Sequence, residues 1–522
     1  MLVKFFRLDK VLSWILICTL LVSGCGMQES QPEIVVLPKE NRPNIVFVLV
    51  DDLDLKLNSI DYMKNLQELM VAQGTTLDDF LVSTPVCCPS RSTILRGQYT
   101  HNHQVYNNTE PNGSFVKFKE TGNGDSTLGL WLQAAGYRTA LMGKFLNGYP
   151  YSDDRLYIPP GWSEWVSPAK KTPYGGYDYV LNENGSLVAY SPEKVNYFTD
   201  VLSLKANDFI QRAAADDVPF FIYIAPFAPH APATPAYRHI DLFPSVTVPI
   251  TPSFNEADVS DKPGNMSSNP LLSGDQILIL NDRYRQRILS LQAVDEMIAE
   301  LIKTLEQTGQ LDNTYIIFTS DNGFHLGHHR LFEGKSHLYE EDITVPFIVR
   351  GPGIAKGRSV ADTLAGNVDI ASTISDWAGV VPPSFVDGTS FASTLAGDSV
   401  NSADQRQGYL LEVYSGTDPD DAEVSVVTPP DNILHPIFKF PSNGTQPLTP
   451  VYSGLRTNQY KYVEYADGFV ELYDLIKDPY ELENIAGSAN KQLLEKFSSW
   501  LKDMSTCAGS SCALIDSRPL SQ

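Results

Sequence analysis

The sequence predicts an α/β protein built on a doubly wound sheet, with a smaller antiparallel sheet towards its C-terminus. Continuous apolar runs at 45–50 and 220–225 are typical of parallel strands that are buried on both faces. Segments with apolar side chains at helical spacing, at 197–213 and 283–308, predict core-facing helices. Past a polar stretch near 397–407, short alternating runs indicate the second sheet. A chain of 522 residues can bury one large core with a smaller one beside it.

Each predicted element follows from its local pattern. Pro89 suits the first position of a helix because its missing N–H is not needed there, which would place Cys87 and Cys88 at a helix N-terminus. Asp369 is expected to cap the helix that follows it. In chain order, the elements are strands at 45–50, 139–142, 220–225, 315–320 and 345–349, helices at 127–135, 197–213, 283–308 and 370–378, then strands at 409–413, 460–465 and 470–473 and a helix at 491–504.

The stretch at 147–191 is rich in glycine, proline and tyrosine and is too long for a simple connection. Loops of this length often line a site. Trp162 and Trp165 lie within it, and we expect them to pack in the core rather than to stack on a sugar ring.

Polar side chains follow four of the apolar runs, at the point where each run ends. Two adjacent acids such as Asp51 and Asp52 are, by themselves, more often turn residues or helix caps than ligands. Because ligands gather outside the carboxyl ends of parallel strands, the recurrence instead predicts one shared site. The residues at these ends are Asp51, Asp52, Lys144, His230, Asp321 and Asn322.

The acids and the amide of that set predict a site for a hard cation. They offer only oxygen ligands, which suits Ca²⁺, or alternatively Mg²⁺, rather than Zn²⁺. A divalent ion among three carboxylates stays near neutral or negative, so an anionic substrate needs further cations around it. The metal ligands predicted from composition are Asp51, Asp52, Asp321 and Asn322, and the cationic candidates are Arg91, Lys144, His230 and Lys335.

Charge and the N-terminal segment restrict the partners. A formal net charge of −23 excludes nucleic acid, or a sulfated polymer, held through a general electrostatic field. Lys4, Arg7 and Lys10 precede an apolar run at 11–22 that is too short to span a bilayer, as in an export signal. The run leads into Val-Ser-Gly-Cys, which is similar to a bacterial lipoprotein processing site with Cys25 as the lipidated residue. We therefore expect a lipid-anchored protein of the bacterial cell envelope, periplasmic or on the surface, with plain secretion as the alternative.

The stretch from Cys87 to Arg91 reads C-x-P-S-R. From composition alone, a buried pair of free cysteines at the start of a core helix is the simpler interpretation. The motif, however, resembles the signature of the type I sulfatases. Further motifs of that family occur in family order between about 43 and 484, and they are Asp51-Asp52, Gly143-Lys144, Ala-Pro-His-Ala-Pro around His230, Asp321-Asn322-Gly323 and Gly334-Lys335.

The resemblance implies an alkaline-phosphatase-like fold and a hydrolase of sulfate esters. It implies that a separate maturation enzyme oxidises Cys87 to formylglycine, whose hydrate takes the sulfuryl group as a covalent sulfo-enzyme and then expels sulfate. Position 87 would also join the metal ligands, and Arg91 would hold the formylglycine. Lys144 and Lys335 would neutralise charge in the transition state, and His230 would protonate the leaving alcohol.

Several stretches are similar to N-acetylglucosamine-6-sulfatases, which implies a sulfated carbohydrate with 6-O-sulfated N-acetylglucosamine as the substrate. Many sulfatases place a histidine two residues after the first lysine, where this chain has Leu146, so Asn147 or His103 would take its place. The alternatives are a phosphate-ester or phosphonate hydrolase of the same superfamily, or a lipid-anchored glycan-binding protein without catalysis. The similar stretches lie at 101–103, 143–147, 255–263 and 284–295.

The expected organisation has five parts. Cys507 and Cys512 can close a short loop in an oxidising compartment, whereas Cys87 and Cys88 lie outside any obvious bridge. The parts are a signal peptide at 1–24, a tether at 25–42, a catalytic domain at 43–400, a C-terminal subdomain at 401–506 and a tail with the disulfide at 507–522.

Overall fold

The computed structural model describes residues 42–150, 154–361, 363–397, 405–414 and 452–519. The predicted signal peptide, Cys25 and the tether up to residue 41 lie outside these ranges, so the lipid anchor remains a prediction. No helix within the described ranges combines the length and the apolar character needed to cross a membrane.

The architecture is a large mixed sheet of eleven strands with a four-stranded antiparallel sheet beyond it. The strand order of the large sheet is β12-β2-β11-β8-β1-β7-β3-β4-β5-β6, with β13 also paired to β2. The fold class predicted from the sequence is confirmed. Its strands are β1 Asn44–Val50, β2 Thr75–Leu81, β3 Arg138–Gly143, β4 Glu164–Pro168, β5 Tyr179–Glu183, β6 Ser186–Tyr190, β7 Phe220–Ala225, β8 Thr314–Ser320, β11 Thr344–Arg350, β12 Arg358–Val360 and β13 Ala365–Gly366, and a separate hairpin pairs β9 His325–Leu326 with β10 Glu333–Gly334.

The centre of the large sheet is parallel. Strand β1 pairs in parallel with β7 on one side and β8 on the other, and β3 continues the parallel set beyond β7. Val50 is opposite Ser320 and Gly143 is opposite Ala225, so these strands end at the same level. Because parallel strands share a direction, the residues that follow all four meet at one edge.

Both faces of the sheet are buried, as continuous apolar strands require. Side chains alternate along β1, so Phe47 packs in the core on one face and Val48 in the core on the other. Helices cover both faces, and burying one large apolar side chain contributes about 1.5–3 kcal/mol. The helices are α1 Lys64–Leu66, α2 Cys87–Arg96, α3 Thr100–His103, α4 Ser114–Glu120, α5 Leu128–Ala134, α6 Phe198–Ala215, α7 Gly274–Gln307, α8 Glu340–Ile343, α9 Ile370–Ala378, α10 Ala392–Ala396, α11 Lys491–Met504 and α12 Ser510–Asp516.

The second sheet is antiparallel in the order β14-β15-β16-β17, and α11 packs against it through Phe497 and Trp500. Cys507 and Cys512 form a disulfide, as predicted, while Cys87 and Cys88 are free and buried. The strands are β14 Tyr409–Val413, β15 Tyr452–Arg456, β16 Tyr460–Tyr465 and β17 Val470–Asp474.

The structure corrects several local predictions. Pro89 is the third residue of α2, because Cys87 itself begins the helix. Asp369 precedes α9, but its carboxylate does not cap that helix and instead accepts hydrogen bonds from Arg406 and from backbone N–H groups outside α9. Helix α7 begins at Gly274 rather than at 283, since Ser273 and Gln276 form a capping box there. Strand β15 was not predicted, because its Gly454 breaks the alternation of apolar residues.

Candidate active site

The site lies at the edge where the parallel strands end. Asp51 and Asp52 follow β1, Lys144 follows β3, His230 comes after β7, and Asp321 follows β8. Strand β2 runs in the same direction as β8, because β11 is antiparallel to both, and it leads the chain to Cys87 at the first turn of α2.

Gly143 permits the close approach of two strands just before Lys144. Its φ is +115°, and a Cβ atom there would lie 2.0 Å from the backbone oxygen of Ala225. A residue with a side chain would therefore push β3 away from β7. The glycine of the Gly-Lys pair fixes where the lysine enters the site.

Cys87 is completely buried and lies among charged groups. Its Sγ is 2.8 Å from Lys335 Nζ, 3.6 Å from Asp51 Oδ1 and 3.8 Å from Asp52 Oδ1. Burial raises the pKa of this thiol well above its usual value, although the nearby Lys144 and Lys335 ammonium groups oppose the shift. The encoded side chain is thus a neutral thiol, placed where a converted residue would face the same groups.

Asp52 receives the densest set of contacts. Lys335 Nζ and Asn322 Nδ2 each donate to its Oδ1 at 2.8 Å, and His230 Nε2 lies 3.6 Å from its Oδ2. Burial acts to raise the pKa of Asp52, but the Lys335 ammonium, with His230 and Lys144, holds it well below the usual range. This carboxylate is therefore ionised at any physiological pH.

Asp51 is bound by two cations. Lys144 Nζ donates to both of its oxygens, at 3.0 and 2.8 Å, and Arg91 Nη2 lies 3.5 Å from Oδ1. Burial acts to lower the pKa of Lys144, but Asp51 outweighs it and the pKa is raised well above its usual value. Arg91 also donates from Nη1 to the Lys144 backbone oxygen at 3.1 Å, so it ties α2 to the end of β3.

Asp321 and Asn322 contact this group from the end of β8. Asp321 Oδ2 accepts from Arg91 Nε at 2.7 Å, and its Oδ1 accepts from the backbone N–H of Asp52 at 3.0 Å. Burial raises the pKa of Asp321 to about 6, against the opposing effect of Arg91. Asn322 Oδ1 is buried and has no hydrogen-bond partner among the described residues.

These residues fit a divalent cation. Asp51, Asp52, Cys87 and His230 each bring one potential ligand atom within 4.8 Å of the others. Asn322, whose Nδ2 donates to Asp52 Oδ1, has a buried Oδ1 without a hydrogen-bond partner in the described residues. Carboxylate and amide oxygens are the ligands that Ca²⁺ and Mg²⁺ prefer. The structure brings His230 into the group of residues predicted from the sequence. Asp321 also accepts a hydrogen bond from Arg91 Nε, and its role as a metal ligand stays a prediction.

His230 has a defined orientation. Its Nδ1 lies 2.8 Å from the backbone oxygen of Ala231, and because a carbonyl only accepts, Nδ1 carries the hydrogen. Nε2 therefore faces the site. Burial lowers the pKa of His230, with Lys335 and Lys144 acting in the same direction against Asp52.

A cavity of about 340 Å³ opens beside Lys144 and His230. It is lined by the stretch that follows β3 and by Tyr174, whose ring centroid lies 4.7 Å from that of His230. The long stretch at 147–191 thus lines the site, as predicted, while Trp162 and Trp165 are buried in the core. The volume is in the range of small-molecule sites.

The replacements considered for the missing family histidine differ in their placement. His103 is engaged elsewhere, because its Nε2 lies 3.0 Å from Thr93 Oγ1 and its Nδ1 accepts from the Val105 N–H at 3.1 Å. Asn147 is buried and lines the cavity beside Lys144. Of the two, only Asn147 borders the space in front of the site.

Arg287 supports the site, and composition did not reveal it. It donates to the backbone oxygen of Asp52, whose φ of 64° lies in the left-handed region, and it lies 3.2 Å from Asp54 Oδ1. This contact holds a backbone conformation that is uncommon for a non-glycine residue. The only sequence signal was its place in the stretch at 284–295.

Comparison with known proteins identifies the class. The family "Sulfatase" matches residues 43–380. The chain therefore belongs to the sulfatase family, and it is a sulfate ester hydrolase.

Among curated relatives, the chain is similar to N-acetylglucosamine-6-sulfatases. It is 35% identical over 484 residues to that of Capra hircus, covering 90% of this chain and 85% of the relative. It is 34% identical to that of Homo sapiens, covering 90% and 86%. It is 28% identical to the N-acetylglucosamine-6-O-sulfatase of Bacteroides thetaiotaomicron, covering 88% and 87%.

Solved structures confirm the fold. One, described as a complex with its substrate D-glucosamine-2-N,6-O-disulfate, has a TM-score of 0.67 at 23% identity and covers 89% of this chain and 97% of that one. A phosphonate monoester hydrolase from Silicibacter pomeroyi has a TM-score of 0.64 at 21% identity, with 89% and 94% covered. The fold alone thus accommodates both sulfatases and phosphonate hydrolases.

Proposed function

We propose that this sulfatase removes the 6-O-sulfate of N-acetylglucosamine in a sulfated carbohydrate, with formylglycine at position 87 and a divalent cation, Ca²⁺ or Mg²⁺. One observation supports this mechanism most directly. The Cys87 side chain begins a helix and lies within 4 Å of Lys335 Nζ, Asp51 Oδ1 and Asp52 Oδ1. The proposed nucleophile therefore lies in direct contact with two carboxylates and a lysine ammonium in the protein interior.

A hydrated formylglycine would provide one hydroxyl to take the sulfuryl group and a second to release sulfate, and a bound divalent cation would polarise the sulfate oxygens. Asp51, Asp52, Asp321 and Asn322 would hold the cation, together with the converted residue at position 87. Lys144 and Lys335 lie close enough to neutralise negative charge as it builds on the sulfuryl oxygens. Arg91 connects α2 to the end of β3 and so fixes the position of residue 87.

His230 is the proton donor in this proposal. Its Nε2 faces the site, at the end that borders the cavity where the alcohol part of the ester would leave. In the free protein burial and two lysines favour its neutral form. A bound sulfate ester adds negative charge next to Nε2, and this charge favours the protonated imidazolium that the leaving alcohol needs.

The substrate proposal is supported by relatives rather than by the site geometry. Curated proteins that are 34–35% identical over 90% of this chain are named N-acetylglucosamine-6-sulfatases. The cavity beside His230 has room for a sugar ring, and Tyr174 provides an aromatic wall for it. We extend the proposal to a formylglycine-generating partner enzyme and to a lipid anchor at Cys25 in the bacterial cell envelope.

Maturation is tested by peptide mass spectrometry of the 85–91 region in protein purified from its native host. Conversion of Cys87 to formylglycine leaves Cys88 as a thiol in the same peptide, which is an internal control. A fully unmodified Cys87 would contradict the proposed mechanism and favour a glycan-binding role without catalysis.

Substrate and metal are tested by sulfate release from matured protein. We expect turnover of N-acetylglucosamine 6-sulfate, loss of turnover after chelation, and recovery with Ca²⁺ or Mg²⁺ but not with Zn²⁺. The matched control is N-acetylglucosamine 6-phosphate, which has the same sugar and a different acid. Faster release of phosphate than of sulfate, or turnover only of sulfate at another position, would overturn the proposed substrate.

A further inference from the structure

A second cluster of potential ligands is buried away from the catalytic site. We call His329, Glu341 and Glu481 the His329 cluster. One nitrogen or oxygen atom of each residue lies within 4.8 Å of the other two, and all three side chains are buried. His329 and Glu341 belong to the segment that carries Lys335, whereas Glu481 follows the last strand of the C-terminal sheet.

Two of the three side chains have a lone-pair atom with unmet hydrogen-bonding capacity. His329 Nε2 and Glu341 Oε2 have no hydrogen-bond partner within the described part of the chain. They lie 3.9 Å apart, too far for a hydrogen bond between them. The third, Glu481 Oε1, contacts the Lys461 ammonium. Leaving His329 Nε2 and Glu341 Oε2 unsatisfied in the interior is unfavourable, and a bound ion would relieve it.

The opposite atom of each side chain is already held by the protein. Carboxylates and hydroxyls that orient metal ligands from behind are a regular feature of metal sites, above all the carboxylate that binds the second nitrogen of a ligating histidine. The contacts are His329 Nδ1 to Glu256 Oε2 at 2.7 Å, Ser253 Oγ to Glu341 Oε1 at 3.1 Å, and the Glu340 N–H to Glu481 Oε2 at 2.9 Å.

We propose that the His329 cluster binds a divalent transition-metal ion, with Zn²⁺ as the probe. An imidazole nitrogen with two carboxylate oxygens suits a transition-metal ion such as Zn²⁺, which accepts both donor types, better than the harder cations that prefer oxygen alone. The Glu256 contact leaves the hydrogen on Nδ1, so the Nε2 lone pair points into the cluster. The Lys461 ammonium contacts Glu481 Oε1 in this structure and therefore competes with a metal for that oxygen.

Such an ion would position a catalytic residue without touching the substrate. His329 and Glu341 flank Lys335 in sequence, and Glu481 anchors the other side of the site to the C-terminal sheet region. Cross-linking these elements would restrict the movement of the segment that delivers Lys335 Nζ to Asp52 and Cys87.

The first test is the location of the ion. Crystals of the full chain are grown with Ca²⁺, to fill the catalytic site, and soaked with Zn²⁺, and anomalous scattering is recorded at the zinc edge. We expect a peak between His329 Nε2, Glu341 Oε2 and Glu481 Oε1. A zinc peak at the catalytic site alone, or no peak, would overturn the proposal.

The second test measures Zn²⁺ affinity by titration of chelator-treated protein in Ca²⁺ buffer. Glu341→Gln and His329→Gln should abolish binding of this ion. Glu256→Gln keeps all three ligands and should weaken it about 10- to 100-fold. Lys461→Met should tighten it, because the competing ammonium is gone.

The matched control is His239→Gln, which removes another buried histidine whose Nε2 lies 2.9 Å from a glutamate, Glu296. Its Zn²⁺ affinity should equal that of the wild type. Circular dichroism and the melting temperature of each metal-free variant identify any that fail to fold. If the ligand variants fail to fold, the Zn²⁺ affinities of Glu256→Gln and Lys461→Met are compared with that of the wild type instead. Equal affinities for wild type, Glu256→Gln and Lys461→Met would refute the site, whatever the sulfatase activity.

Discussion

Two groups of buried charges in this protein are built from the same residue types and differ in how completely the protein satisfies them. One is the proposed catalytic centre around Asp51, Asp52 and Arg91, which we call the catalytic centre below. The other, which we call the Arg406 cluster, consists of Asp369, Arg406 and Asp516. Both combine carboxylates with a buried guanidinium, so composition alone does not distinguish them.

In the Arg406 cluster, protein groups bind the charges closely. Arg406 donates from Nη2 to Asp369 Oδ1 at 2.9 Å and from Nε to Asp516 Oδ2 at 2.7 Å, and its Nη1 also binds Asp369. The backbone N–H groups of Gly366 and Thr389 donate to the remaining positions of the Asp369 carboxylate. The cluster therefore joins α9 to the C-terminal helix α12 and needs no further ligand.

In the catalytic centre, some buried atoms have no such partner. Asn322 Oδ1 and Arg91 Nη2 lack a hydrogen bond within the described residues, and two lysine ammonium groups lie directly among the carboxylates. Buried polar groups are nearly always satisfied in folded proteins, so each exception has an explanation. The closed network of the Arg406 cluster is thus structural, whereas the incomplete one lies where the proposed cation would bind.

Among variants that test this difference between the two groups, the largest expected effect comes from removing the Cys87 side chain. Cys87→Ala should lower kcat/KM for sulfate release by roughly 10⁴- to 10⁶-fold, because the nucleophile is lost, with little change in melting temperature. Cys88→Ala is the control, since this neighbouring cysteine is equally buried but its thiol faces away from the carboxylates into the hydrophobic core. A Cys87→Ala rate similar to that of Cys88→Ala would remove Cys87 from the mechanism.

The next effect concerns stability alone. Arg406→Met leaves Asp369 and Asp516 buried without their cation and should lower the free energy of unfolding by about 3–5 kcal/mol. Urea denaturation measures this loss, and kcat/KM per folded molecule should not change. Arg212→Met removes a half-exposed arginine that also pairs with two acids, and it should cost under about 1 kcal/mol. Equal losses for the two variants would contradict the assignment of the Arg406 cluster as a structural element.

Lys335→Met removes a cation from the catalytic centre, where we expect lost activity rather than lost stability. Loss of a cation that acts on the transition state should lower kcat by about 10²- to 10³-fold. The exposed Lys171, which pairs with Asp178, provides the control Lys171→Met, whose kcat should equal that of the wild type. Steady-state kinetics on matured protein measure kcat and KM for both variants. A change in KM only for Lys335→Met would show that Lys335 binds substrate without assisting the reaction.

The smallest effect is a pH dependence outside both regions. Burial acts to lower the pKa of His101, but its hydrogen bond to Glu412 at 2.8 Å raises that pKa to about 9. Because the folded pKa exceeds the unfolded value of 6.5, the stabilisation is fully present below about pH 6.5 and is lost as pH rises through about 9.

His101→Gln should therefore lower the free energy of unfolding by about 1.5–3 kcal/mol at pH 6, where the charged hydrogen bond is intact. The difference from wild type should shrink towards pH 9.5. Urea denaturation at both values measures it, and a difference that is constant with pH would show that His101 contributes by packing alone.

Much of the site could be predicted because its residues follow strands whose pattern is unambiguous. The runs that became β1, β3, β7 and β8 are largely apolar, so the sequence shows where they end, and parallel pairing brings those ends together. Lys335 does not follow such a strand, because the residues before it form a short hairpin with no strong pattern, and the family resemblance gave it a role.

Other features depend on contacts that no local pattern records. Arg287 lies in the middle of α7, where an arginine ordinarily faces solvent, and only the packing of α7 directs it to Asp52. His103 was a candidate near the nucleophile until the structure showed both ring nitrogens engaged by Thr93 and Val105. The His329 cluster joins residues from two distant segments and has no sequence motif.

The sequence by itself determined the central strands of the large sheet, the α/β class, the C-x-P-S-R motif and the set of acids and the lysine at the strand ends, because burial and backbone preference act over a few neighbouring residues. Only the tertiary structure decided which charges are satisfied and which face a ligand. That distinction depends on the direction and distance of side chains far apart in the chain, which are fixed when the sheet and helices pack together.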